Sequence, residues 1–136
     1  YYPKTDIAIL SAAVADFKPK QVATQKIKKK ENTLSIELDS TKDILASLGA
    51  IKKHQFLVGF ALETNNELEN AKGKLKAKNL NLIVLNSLND KGAGFKTETN
   101  KVTFIDDKEN VHEFQLKSKA DVAADLMNEI IKQINA

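Results

Sequence analysis

The chain has 136 residues, 42% of them hydrophobic and 29% charged, which matches one ordinary globular domain. It contains no cysteine, so disulfides, cysteine–zinc sites and thiol catalysis are excluded. The formal charge is +3, yet all 21 basic residues are lysine, so phosphate recognition must rely on ammonium groups and backbone amides.

A reader of guanine edges would usually carry arginine, and its absence argues against a nucleic-acid partner. No apolar run approaches the ~20 residues of a membrane helix, and no signal-peptide pattern opens the chain. A cytoplasmic protein without a membrane partner is expected. The one methionine is Met127, which leads us to expect a portion of a longer polypeptide. The histidines, His54 and His112, are expected at the surface.

In chain order, Ile7-Ala8-Ile9-Leu10 reads as a strand covered on both faces. It runs into small residues, Ser11-Ala12-Ala13-Val14-Ala15, and then the carboxylate of Asp16. Open α/β sheets place ligands at such strand ends. The lysine run Lys26-Ile27-Lys28-Lys29-Lys30 follows, and it can neutralise a polyphosphate or form a solvated edge. Leu34-Ser35-Ile36-Glu37-Leu38 alternates with period two and predicts a strand with one wet face. Ser40 and Asp43 form a capping pair ahead of a helix carrying Ile44, Leu45, Leu48 and Ile51 on one side.

Phe56-Leu57-Val58-Gly59-Phe60-Ala61 is the next buried strand. Thr64-Asn65-Asn66-Glu67 matches a capping box for a helix through Leu68, Ala71 and Leu75. Lys74 and Lys78, four apart, are neighbours on one face of that helix. Leu82-Ile83-Val84-Leu85 is a third buried strand. Gly92-Ala93-Gly94-Phe95 suits either an ordinary turn or a close approach to a ligand. Residues 102–105 and 111–114 read as a hairpin, and Ser118 with Asp121 caps a final helix striped by Val122, Leu126, Ile130 and Ile134.

Strands alternating with helices imply an α/β, Rossmann-like, doubly wound and mostly parallel sheet, here with a flap and a C-terminal hairpin. The Gly-x-Gly-x-x-Gly fingerprint is missing, so the amino-terminal half of such a fold is expected outside this chain. The 136 residues are read as one partial Rossmann-like domain.

The motifs Ala12-Ala13-Val14-Ala15-Asp16-Phe17, Lys26-Ile27-Lys28-Lys29, Val58-Gly59-Phe60-Ala61-Leu62-Glu63-Thr64 and residues 78–86 occur in one order, followed by Gly92-Ala93-Gly94-Phe95 and Thr99-Asn100-Lys101-Val102. In this order they resemble bacterial phosphopantothenate–cysteine ligase, a CTP-dependent enzyme of coenzyme A biosynthesis. That resemblance implies ligation of 4'-phosphopantothenate to L-cysteine through an acyl-cytidylate, with Mg2+ as cofactor, CTP as co-substrate and no protein-held metal site. It implies a homodimer and a flavin-dependent decarboxylase domain fused upstream. It places nucleotide contacts at Leu10, Ser11, Ala12, Asp16, Lys26, Asp39, Ser40, Thr41, Lys42, Phe60, Lys74 and Lys78, and gives Lys26 the catalytic role on a flap. The segment Asp39-Ser40-Thr41-Lys42-Asp43 departs from the Asn-Pro-Asp pattern frequent in that family. A fragment lacking the other half is expected to be inactive by itself. Two further readings stand beside this one: a Rossmann-like nicotinamide- or flavin-binding domain, and a non-catalytic dimerisation fragment.

Overall fold

The computed structural model describes residues 1–27, 34–87 and 98–136. After a short turn at Tyr2–Lys4 come β1 (Ile7–Leu10), β2 (Phe17–Pro19), β3 (Leu38–Ser40), α1 (Ile44–Ala50), β4 (Phe56–Glu63) and α2 (Glu67–Ala77). Then follow β5 (Leu82–Ser87), β6 (Thr99–Asn100), β7 (Val102–Asp106), β8 (Val111–Glu113), β9 (Lys117–Ser118) and α3 (Lys119–Ile134).

The main sheet runs β1-β4-β5-β7-β8. β4 pairs in parallel with both β1 and β5, while β7 is antiparallel to β5 and to β8. Four of these five strands therefore point the same way, and the fold is a mostly parallel Rossmann-like α/β sheet. Its two faces separate with the period of two that a strand imposes. Phe56, Val58, Leu82, Val84, Val102 and Phe104 pack under α3 through Val122, Leu126 and Ile130. Leu57, Ala61, Ile83, Leu85 and Ile105 face α2 through Ala71 and Leu75. Each buried Val, Leu, Ile or Phe among them contributes about 1.5–3 kcal/mol. The apolar stripe of α3 is what pins it to the sheet.

Asn81 locks the entry to β5. Its Oδ1 accepts from the Leu57 amide at 2.9 Å and from Lys52 Nζ at 3.1 Å, while its own amide donates to the Leu57 carbonyl. Burial of Lys52 lowers the pKa of its ammonium.

Three local expectations are corrected. Residues 34–37 do not extend a strand: β3 starts at Leu38 and pairs antiparallel with β2, Phe17 opposite Ser40. Leu34, Ile36 and Leu38 are 66%, 56% and 54% exposed, so their alternation has no core face to pack on. Asp43 alone caps α1, accepting from the Ala46 amide at 2.9 Å, because Ser40 is committed to the β2–β3 ribbon. The N-cap of α2 also differs, being Asn66 and not Thr64. Asn66 takes that place in a left-handed conformation without a side-chain cap bond, and Glu67 accepts from the Ser87 hydroxyl at 2.6 Å. The hairpin of β7 and β8 and the Ser118 cap on α3 are as expected.

Candidate functional site

The site forms where β1 and β4 end. Small residues after Leu10 leave the strand's carboxyl end open, and Gly59 in β4 lets α1 lie close beside it. A Cβ on Gly59 would stand 2.6 Å from Leu45 Cδ2 and 2.9 Å from Leu80 Cδ1. The result is an open cleft of about 460 Å³, of the size that holds small molecules.

Leu10, Ser11, Ala12, Asp16, Thr41, Lys42, Phe60 and Lys78 all line this cleft, so eight of the expected contacts are brought together. Lys26, Asp39, Ser40 and Lys74 are not among the lining residues. Lys26 is exposed, and Asp39 and Ser40 belong to the β2–β3 ribbon. Lys74 is held by Glu63 at 2.6 Å, with the Glu63 side chain only 12% exposed. Lys28, Lys29 and Lys30, and the Gly92-Ala93-Gly94-Phe95 stretch, lie outside the described residues.

Thr41 fastens the ribbon to the cleft floor. Its amide donates to the Asp16 carbonyl at 2.8 Å and its hydroxyl to the Ala15 carbonyl. Phe60 sits in the otherwise buried run of β4 yet is 36% exposed, presenting an apolar ring to the cleft. Lys78 reaches in from the C-cap of α2, where its Nζ stands 2.9 Å from Asp43 Oδ2. The Ala46 amide, and then the Lys78 ammonium, hold the Asp43 carboxyl below the usual range for an aspartate. Asp43, Ile44 and Leu45 also line the cleft, as do Ile9 and Val14. Sequence reasoning had given Asp43 only a capping role, and the i,i+4 lysine pair was the signal that a counter-charge was needed.

In chemical terms the cleft offers one apolar wall, one strand end with its amides, and ammonium groups at one side. That suits a ligand with a flat apolar part and an anionic part. No group of three or more His, Cys, Asp or Glu that could hold a metal occurs among the described residues.

Residues 1–134 match the family described as the DNA/pantothenate metabolism flavoprotein C-terminal domain. The chain belongs to that family. A relative described as a cysteine/cysteine sulfinic acid decarboxylase, from an unknown prokaryotic organism, is 52% identical over 135 residues, covering 98% of this chain and 38% of the relative. The Coenzyme A biosynthesis bifunctional protein CoaBC of Bacillus subtilis (strain 168) is 46% identical over 129 residues, covering 95% of this chain and 32% of the relative. Among solved structures, the C-terminal domain of a CoaBC superposes with a TM-score of 0.76 at 37% identity, covering 98% of this chain and 57% of that one. The chain thus spans about a third of the length of these curated relatives.

These findings correct the functional expectation. The matched family is described as a flavoprotein domain and the 52%-identical relative as a decarboxylase, which overturns the assignment to the CTP-dependent phosphopantothenate–cysteine ligase. With it go Mg2+ and CTP as cofactor and co-substrate, and 4'-phosphopantothenate and cysteine as direct ligase substrates. A fused arrangement remains a property of the relative described as bifunctional. The physical reason for the misreading is simple. Lysines at a small-residue strand end report phosphate charge, and phosphate charge is common to many nucleotides and cofactors.

Proposed function

We propose that the chain is the C-terminal, phosphate-recognising domain of a decarboxylase-type flavoprotein in pantothenate and cysteine metabolism, with its cleft taking part of flavin mononucleotide. One observation carries this reading: Phe60 and Lys78 line the same cleft at the carboxyl ends of parallel strands. Phe60 offers an apolar face for a ring system, and Lys78 and Lys42 offer cations for a phosphate. The residues therefore fit a phosphorylated flavin, although the five glycines include no Gly-x-Gly-x-x-Gly loop. When bound, a flavin supplies the redox chemistry. The described residues bind and orient, and none stands out as an acid or base for decarboxylation. The 136 residues act as one domain within a longer polypeptide. A cytoplasmic setting suits a chain without cysteine, and none of the described helices is long and apolar enough to cross a membrane.

The full-length protein should be titrated with flavin mononucleotide and with riboflavin, which differ only by the phosphate, following flavin fluorescence. The mononucleotide is expected to bind more tightly, and Lys78→Gln to remove most of that difference. Absence of binding, or tighter binding of a nucleoside triphosphate than of the flavin, would overturn the reading.

A further inference from the structure

The cleft already contains an anion of its own. Asp43 caps α1 through Oδ1, which accepts from the Ala46 amide at 2.9 Å. Its Oδ2 lies 2.9 Å from Lys78 Nζ, and both side chains line the cleft. Among the described residues the charged ones lining the cleft are Asp16, Lys42, Asp43 and Lys78, two of each sign. One turn earlier on α2, Lys74 is matched by Glu63 in the same way.

We propose that Asp43 is an internal competitor for Lys78, setting the affinity that an anionic ligand must exceed to use that cation. This inference rests on reading the cleft as a phosphate site. The carboxylate is fixed by its cap bond, so it loses little freedom in holding the ammonium. A single-charged group offers Lys78 no more than Asp43 already does. A phosphate monoester carries about −1.5 to −2 charges and three acceptor oxygens, enough to share or take the ammonium. Displacement would leave α1 intact, because the cap uses the other carboxylate oxygen. Asp43 thereby acts on binding through Lys78, as a positioning residue rather than a direct contact.

The experiment uses the full-length protein, with inorganic pyrophosphate as the probe, titrated by calorimetry. Asp43→Asn keeps a competent helix cap and removes only the competing charge; Asp43→Ser repeats the test with a second capping residue. Both should tighten pyrophosphate binding by roughly three- to tenfold. In a Lys78→Gln background the Asp43→Asn change should bring no gain, since the two residues act as one pair. Unchanged or weaker binding by Asp43→Asn, or an equal gain without Lys78, would overturn the inference. Because pyrophosphate carries no flavin, failure of flavin mononucleotide to bind would sink the flavin reading and leave this result to stand or fall separately.

Discussion

The same substitution, glycine to alanine, should act with opposite sign in two helices of this fold. In α1, a Cβ on Gly49 would lie 1.8 Å from the carbonyl oxygen of Lys78 and 2.8 Å from its carbon. Those are backbone atoms, held by the Lys78 amide's bond to Lys74 and by Asn79 Nδ2 donating to the Gly49 carbonyl at 3.1 Å. Relief needs a shift of more than 1 Å in a packed corner, and overpacking of that kind costs about 1–3 kcal/mol. Alanine's better helix propensity returns at most about 1 kcal/mol. Because the clash is with backbone atoms the upper end of that cost applies, and the balance for Gly49→Ala is a loss of roughly 2 kcal/mol. In α2, none of the described residues outside the helix's own backbone lies within 4 Å of a Cβ on Gly73, so only the propensity gain acts. Gly73→Ala should therefore gain about 0.5–1 kcal/mol. Urea unfolding of both variants at constant m-value measures the two effects directly. A Gly49→Ala protein as stable as the parent would show that the α1–α2 corner is slack, and the geometry above would be wrong.

Two further outcomes are expected. The Asp43 carboxyl is lowered from its ordinary value, so its contribution to stability is fully present above the unfolded value near ~3.9 and is lost as pH falls through the lower folded value. Asp43→Asn should flatten that acid limb in unfolding curves taken below about pH 4, and an unchanged limb would refute the shift. Ser118 Oγ accepts from the Asp121 amide at 3.1 Å to cap α3. Ser118→Ala should cost about 1 kcal/mol, read as a fall in thermal midpoint of roughly 3–5 °C.

The sheet was legible because its strands are short apolar runs separated by turn residues, and pattern and burial agree in β4 and β5; β1, expected to be covered on both faces, has no buried residue and leaves Ile9 38% exposed. The ribbon was not. Residues 34–38 carry the alternation of a strand, but alternation predicts which face is apolar, not whether anything covers it. Phe60 shows the same limit from the other side: it sits inside an apolar run, and only the missing cover at the end of β4 exposes it. In the cleft, Lys78 and Asp16 could be picked out as charges near a strand end. Asp43 was hidden in its capping role, because one carboxylate with two jobs leaves a single signature in sequence. Lys26 and Lys74 illustrate the converse. A lysine's position along the chain says little about where a long, flexible side chain ends, and Lys74 ends on Glu63.

The corner at Lys78 and Asn79 joins stability to binding. Asn79 adopts a positive φ of 52°, which turns the chain out of α2 while its side chain holds the end of α1. The preceding residue presses its carbonyl against Gly49 and sends its ammonium to the start of the same helix, at Asp43. α1 is therefore gripped at both ends by one dipeptide. A disturbance at Gly49 should reach the cleft without touching it, because moving the Lys78 backbone carries its ammonium away from its place in the cleft lining. Gly49→Ala is thus expected to weaken phosphate-ligand binding as well as the fold, whereas Gly73→Ala, on α2 but clear of the corner, should change stability alone. Calorimetry with pyrophosphate on both full-length variants separates the two cases. Equal affinities in Gly49→Ala and the parent would mean that Lys78 is placed by its own flexible stem and not by the corner that carries it.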